Sequence, residues 1–84
     1  MPPTEVSIAL GHVIRTLRES AEMSQEDLGF QAGRHRTFVS LIERGVSNPT
    51  VGTLWLLAHA LGVRPSEIVA RVEMQLDEPP ERRA

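Results

Sequence analysis

Apolar residues recur every three or four positions through the first quarter of the chain, which is the spacing of one face of an α-helix. The positions that carry this pattern are Leu10, Val13, Ile14, Leu17 and Ala21. They predict a first helix from Ile8 to Ala21. Residues 1–7 hold two prolines and polar side chains, so we expect a loose N-terminal arm there.

Two shorter helices follow, separated by a turn that contains a glycine. Ser24 and Asp27 form a variant of the capping box, in which the hydroxyl accepts a hydrogen bond from an otherwise unpaired amide. The second helix therefore begins near Gln25 and runs to about Gln31. Gly33 stops it, because glycine readily takes the left-handed conformation of a tight turn.

The remaining pattern predicts three more helices and no strand. They run from Arg36 to Arg44, from Val51 to about Leu61, and from Pro65 to the Pro79-Pro80 pair. Gly45 and Gly62 end two of them, Thr50 caps one, and proline suits a first helical position. The predicted fold class is all-α with five short helices, in which residues 8–78 form one domain and residues 79–84 a polar tail.

Composition narrows the function classes. A chain of 84 residues accommodates one domain, and a core this small gains stability from pairing with a second copy. The absence of cysteine excludes disulfides, thiolate metal sites and thiol nucleophiles. No apolar run approaches the roughly 20 residues that cross a bilayer, and the N-terminus lacks the features of a signal peptide. We therefore expect a cytoplasmic protein without a membrane partner.

Nothing in the sequence favours an enzyme or a cofactor. The three histidines, at positions 12, 35 and 59, lack the paired spacing of a metal site. A paired nucleophile and base, a phosphate-binding glycine loop and a metal-ligand set are all missing from the pattern. We expect no catalytic residue, no metal and no cofactor.

Charge is unevenly distributed along the chain. Nine basic residues, all arginine, oppose eleven acidic residues, which gives a net charge of −2. The use of arginine as the sole basic residue can reflect the base composition of the genome rather than a function of the protein. A nearly neutral chain is not an obvious nucleic-acid binder. Residues 33–45 are the exception, because their three arginines outweigh one glutamate.

Two short helices around a glycine-containing turn are typical of a helix-turn-helix. Further markers lie at fixed spacings around it: Ser24-Gln25, Gly33, Ile42-Glu43-Arg44-Gly45, Asn48-Pro49, Leu57-Ala58 and Ala60-Leu61-Gly62-Val63. Together they resemble the lambda-repressor-like family, also called XRE or Cro/cI type, over roughly Ile8 to Val72. His35-Arg36-Thr37-Phe38 resembles in addition the controller proteins of restriction–modification systems, although the same run occurs in other regulators.

The resemblance implies a DNA-binding transcriptional regulator whose third helix lies in the major groove of double-stranded DNA. That groove, about 12 Å wide, admits one helix, whose N-terminal residues meet the base edges. The resemblance and this docking geometry give the expected base contacts as His35, Arg36, Thr37, Ser40 and Leu41. The expected phosphate contacts are Ser24, Gln25, Arg34, Phe38, Arg44 and Asn48. The alternatives are ordinary solvated side chains, a core position for Phe38 and a solvent-facing Leu41.

The family pattern also implies a salt bridge between Arg18 and Glu43, which would keep the glutamate from repelling phosphate. The sequence departs from that pattern at several positions. Gly29 stands where alanine is usual, and Glu22 replaces a glycine or asparagine. His35 stands where serine or threonine usually caps the recognition helix, so its role is open.

Two functions remain on the sequence alone. In the first, a homodimer reads a palindromic operator with half-sites about 34 Å apart, as a repressor or an activator. The expected dimer interface is Trp55, Val69, Val72 and Leu76; the alternative for Trp55 is a position in the core. In the second, the chain is an antitoxin or another protein-interaction module with the same fold, and the segment from Glu73 to Ala84 binds the protein partner.

Overall fold

The computed structural model describes residues 4–77, which form five α-helices and contain no strand. The helices are α1 (Glu5–Ser20), α2 (Gln25–Gln31), α3 (Arg36–Glu43), α4 (Val51–Leu61) and α5 (Pro65–Leu76). The predicted all-α class with five helices is confirmed. Residues 1–3 of the expected arm and the expected polar tail, residues 79–84, lie outside the described residues.

Helix α1 begins at Glu5, inside the segment that composition assigned to the arm. Thr4 caps it, because its hydroxyl accepts from the amide of Ser7 at 3.1 Å while the Ser7 hydroxyl accepts from the amide of Thr4 at 2.9 Å. The buried Ser7 hydroxyl also lies 2.9 Å from the carbonyl oxygen of Gly45, to which it donates. The start of α1 is thereby joined to the loop after α3.

The other predicted helix starts agree with the structure. The capping box of α2 is formed, since Ser24 Oγ accepts from the Asp27 amide at 2.9 Å and Asp27 Oδ2 accepts from the Ser24 amide at 3.0 Å. Thr50 Oγ1 accepts from the amide of Thr53 at 3.1 Å and caps α4. Gly33, which follows α2, has a φ of 69°, the left-handed value expected for this turn.

Helix α1 packs against α3 and α5, α2 packs against α3 and α4, and α4 packs against α5. One core fills the space between them. Its residues are Ala9, Val13, Ile14, Leu17, Leu28, Ala32, Val39, Ile42, Leu57, Ala58, Leu61, Ile68 and Val72. None of the helices within residues 4–77 has both the length and the apolar content to cross a membrane.

Gly11 marks the closest approach of α1 to α3. A Cβ built on this glycine would collide with the carbonyl oxygen of Ile42 and lie 2.8 Å from that of Glu43. Backbone atoms have no free rotamer through which to move away. The position of α3 against α1 therefore depends on the missing side chain of Gly11.

Candidate nucleic-acid interface

The N-terminal parts of α2 and α3 meet at a polar hollow of about 350 Å³. Gln25 from α2 and Arg36, Thr37 and Ser40 from α3 line it. Arg36 and Thr37 are exposed, whereas Gln25 and Ser40 are half-buried. The fold thus brings three of the expected base contacts together with one expected phosphate contact, although Gln25 and Arg36 are eleven positions apart in the sequence.

The expected salt bridge between Arg18 and Glu43 is present, and Gln25 connects it to this hollow. Arg18 Nε lies 2.6 Å from Glu43 Oε2, and the two side chains are only 11% and 3% exposed. The hydrogen bond that Arg18 donates to Glu43 raises the pKa of Arg18 above its ordinary value, although burial acts in the opposite direction. Glu43 therefore has its own counter-charge.

Glu43 also holds the side chain of Gln25. Gln25 Nε2 donates to Glu43 Oε1 at 3.0 Å, and Arg18 Nη2 donates to the same oxygen at 3.1 Å. A glutamine amide carries two N–H donors, so one remains for another acceptor. The sequence pattern gave no sign of the contact between Gln25 and Glu43. It joins α2 to α3, and the sequence assigned Glu43 only to the salt bridge with Arg18.

His35 caps α3. Its backbone is extended, and its Nδ1 accepts from the amide of Thr37 at 3.1 Å. The Thr37 hydroxyl lies 2.9 Å from the same nitrogen. The position at which the family pattern has serine or threonine thus keeps a capping role with a different acceptor.

Arg34 turns toward the protein rather than standing alone in the α2–α3 turn. Its guanidinium lies 5.9 Å from the ring centroid of Phe38, and Nη2 is 3.4 Å from Thr53 Oγ1 of α4. Phe38 is half-buried and packs against the core. In this arrangement Arg34 and Phe38 support each other, and the guanidinium keeps further donors for an anion.

The other expected contacts are spread around α3. Arg44, the C-cap of α3, and Asn48 are exposed, and Leu41 is half-buried. The Ser24 hydroxyl is engaged in the cap of α2. Residues 4–77 contain no group of side chains that could hold a metal ion.

The expected dimer positions do not share one environment. Trp55 and Val69 are 59% and 53% exposed, but Val72 is 8% exposed and belongs to the core. The expectation for Val72 is corrected, because the packing of α5 turns it inward. Leu76 is half-buried against the core.

Sequence reasoning missed two further exposed apolar residues on α4, Val51 and Leu56. A signal for them was present: the segment VGTLWLLAHAL has apolar residues on every side of the helix. Such a helix buries one side in the core of the protein and leaves another apolar side exposed.

Comparison with known proteins identifies the family to which this chain belongs. Residues 14–68 match the model of a helix-turn-helix family. The chain is 37% identical over 65 residues to the control protein C.BamHI of Bacillus amyloliquefaciens, which covers 76% of this chain and 80% of that protein. The chain belongs to the XRE-type helix-turn-helix family. Members of this family are DNA-binding transcription regulators.

Solved structures in the XRE-type family share the fold. The restriction–modification controller protein C.AhdI from Aeromonas hydrophila aligns with a TM-score of 0.72 and 35% identity, over 74% of this chain and 90% of that one. The controller protein C.Esp1396I, as a tetramer in complex with its natural 35 base-pair operator, aligns with a TM-score of 0.78 and 27% identity. That alignment covers 87% of this chain and 96% of the other.

Proposed function

We propose that this protein is a sequence-specific transcriptional regulator of the controller type, which binds a palindromic operator as a homodimer. The observation that carries the proposal is the polar hollow, in which Gln25, Arg36, Thr37 and Ser40 converge at the N-terminus of α3. The N-terminal residues of a recognition helix are those that meet base edges in the major groove.

The side chains of the hollow divide into two roles. Arg36 is suited to donate two hydrogen bonds to guanine O6 and N7, and Thr37 offers a hydroxyl to a base or its methyl group to thymine. Ser40 is short and permits close approach. Gln25, at the first turn of α2, is suited to a phosphate oxygen, where the helix amides add positive potential. Phosphate contacts set the register, and base contacts set the sequence.

Local charge supports DNA binding despite the net charge of −2. Arg34 and Arg36 flank the start of α3, and Arg44 ends it. Glu43 is neutralised by Arg18 at 2.6 Å. A charge acts over a Debye length of about 8 Å at physiological salt, so DNA on this face meets these arginines together with Glu26 of α2, which lines a hollow with Arg34 and Arg36.

The exposed apolar side of α4 supports pairing of two copies. Trp55 and Leu56 stand on it, and Val69 is exposed on the neighbouring helix α5. Exposed apolar patches of this kind mark protein interfaces. A homodimer would double the DNA contacts of one short helix and read two half-sites about 34 Å apart. The tetramer of C.Esp1396I on its operator is a precedent for assembly on DNA in a relative.

Selection from random oligonucleotides with the purified protein, at two salt concentrations, tests the proposal. We expect a palindromic motif with half-sites about one helical turn apart and an affinity that falls steeply with salt. Failure to enrich any motif would contradict the proposal and favour a protein-interaction module instead.

The dimer is tested separately by sedimentation with and without the selected duplex. Trp55→Ser should shift the protein toward monomer and weaken binding to the palindrome more than binding to one half-site. Phe30→Ser, which removes an exposed apolar side chain from α2, is the control for the sedimentation measurement and should leave the oligomeric state unchanged. An unchanged oligomeric state in the Trp55 variant would contradict the assigned interface.

A further inference from the structure

A histidine ring nitrogen that carries no proton has one lone pair, with which it can accept a hydrogen bond. In the structure, Nδ1 of His35 accepts such a hydrogen bond. The amide of Thr37 lies 3.1 Å from Nδ1 and can only donate. Nδ1 must therefore be unprotonated. The capped form of α3 requires the neutral imidazole with its proton on Nε2.

From this geometry we infer that His35 is a positioning residue for Thr37. It fixes the first turn of α3 through the Thr37 amide and lies 2.9 Å from the Thr37 hydroxyl, the group proposed to reach a base. The inference rests on the proposed function, because Thr37 matters to binding only if α3 reads DNA. It assigns His35 an action through Thr37 rather than a contact of its own.

Protonation of His35 reverses the arrangement. An imidazolium donates from both nitrogens and has no acceptor for the Thr37 amide, so the cap of α3 is lost. Its Nδ1–H would instead donate to the Thr37 hydroxyl and occupy a lone pair of that oxygen. The new charge would also stand at a helix N-terminus, where the helix dipole is already positive. Each effect weakens the geometry of α3 that binds DNA.

The charged groups around His35 come from α2, from the turn before α3 and from the first residue of α3. His35 lines a hollow together with Glu26 and Phe30 of α2 and with its sequence neighbours Arg34 and Arg36. From α4, the uncharged Thr53 reaches this region through its hydrogen bond with Arg34. Glutamate and arginine side chains ordinarily keep their charge between about pH 5.5 and 8, whereas histidine gains a proton there.

The sign of the pH dependence separates positioning from direct contact. If His35 acts as the cap, acidification weakens DNA binding. If its ring contacts a phosphate, acidification strengthens binding, because a cation is attracted more strongly than a neutral donor. Filter binding with the duplex recovered by selection, at constant ionic strength from pH 8 to pH 5.5, distinguishes the two.

We expect the affinity of the wild-type protein to fall about fivefold over this range, the equivalent of one lost helix cap. His35→Asn, a good cap that does not titrate, should keep the affinity seen at pH 8 and lose the pH dependence. His35→Ala should bind about fivefold more weakly at pH 8 and show little further change. His12→Gln, which replaces an exposed histidine on α1, is the control, and its DNA affinity should show the same pH dependence as that of the wild type.

Nitrogen-15 NMR of the free protein tests the assignment without DNA. We expect the His35 ring at pH 8 to carry its proton on Nε2; a proton on Nδ1 would overturn the inference. Affinity that rises on acidification, or a His35→Ala variant that binds like the wild type, would also overturn it while leaving the proposed function intact. Failure of the wild-type protein to bind any duplex would instead remove the proposed function and this inference together.

Discussion

Arg18 and Glu43 join α1 to α3 through two hydrogen bonds, from Nε to Oε2 at 2.6 Å and from Nη2 to Oε1 at 3.1 Å. The third guanidinium nitrogen of Arg18, Nη1, donates to the carbonyl oxygen of Met23 at 2.7 Å. One side chain therefore holds α1, the turn before α2, and α3 in a fixed relation.

Replacing Arg18 by methionine should lower the free energy of unfolding by about 3 kcal/mol or more, because the nearly buried Glu43 would lose its counter-charge. Urea denaturation measures this change. The double variant Arg18→Met/Glu43→Met should recover part of the loss. Arg15→Met is the control: its salt bridge with Glu19 is exposed, so we expect a change of about 0.5 kcal/mol or less. Equal losses in both arginine variants would contradict the prediction.

Arg36→Ala and Gln25→Ala should affect DNA binding in different ways. Loss of a bidentate base contact at Arg36 is expected to cost about 1–3 kcal/mol on the selected duplex and to relax the preference at one position. Loss of a phosphate contact at Gln25 should weaken all sequences about equally. Repeating the oligonucleotide selection with each variant gives the comparison. An unaltered motif with Arg36→Ala would remove its assigned role.

Gly11→Ala should destabilise the protein by about 1–3 kcal/mol, the usual cost of overpacking. The added methyl group meets the backbone carbonyl of Glu43 at 2.8 Å. Gly52→Ala is the matched control on α4, where the nearest atom, Thr50 Oγ1, would be 3.9 Å away. That control should gain up to about 1 kcal/mol from helix propensity. The prediction fails if thermal unfolding ranks the two variants in the opposite order.

Glu22→Gly should stabilise the protein. Glu22 has a φ of 58° and, among residues 4–77, no other residue except glycine has a positive φ. A left-handed conformation costs a residue with a side chain about 1–2 kcal/mol, and glycine avoids that cost. We expect a net gain of about 1 kcal/mol after the greater unfolded-state entropy of glycine is included. Glu26→Gly, within α2, should instead lose about 1 kcal/mol.

Asp27 should give the wild-type protein a pH-dependent advantage over Asp27→Asn. Hydrogen bonds from the Ser24 backbone and side chain lower the pKa of Asp27 below its ordinary value. A lowered pKa in the folded state means that the stabilisation is present above the unfolded-state pKa and is lost as the pH falls through the folded-state value. The stability difference between the two proteins, measured from about pH 6 to about pH 2, should therefore shrink on acidification. A constant difference would contradict this.

Helix limits could be predicted where the signal is local. Ser24 and Thr50 form caps with residues only three positions away, so the sequence contains the whole interaction. The start of α1 was placed too late, because the residue that completes its capping box is Ser7 rather than a glutamate or glutamine. The inward position of Val72 could not be read from the sequence, since apolar spacing is the same for a core face and a partner face.

The candidate site was only partly accessible from the sequence. Its α3 residues follow from the motif and the docking geometry of a recognition helix. The hydrogen bond between Gln25 and Glu43, and the position of Arg34 over Phe38, depend on how separate helices pack. A one-dimensional pattern holds no distance between such positions. The close approach of Gly11 to α3 could not be predicted for the same reason, because in the sequence Gly11 looks like any other position of the first helix.

Trp55 is the sole tryptophan of a chain that has no tyrosine, and it stands 59% exposed on α4. Apart from the weak emission of phenylalanine, the intrinsic fluorescence of the protein therefore comes from one indole, which lies on the surface proposed as the dimer interface. Pairing of two copies at this proposed surface would remove water from the indole and move its emission to shorter wavelength. Trp55 would thus be an unlabelled optical reporter of the proposed dimer, located on a different helix from the residues proposed to read DNA.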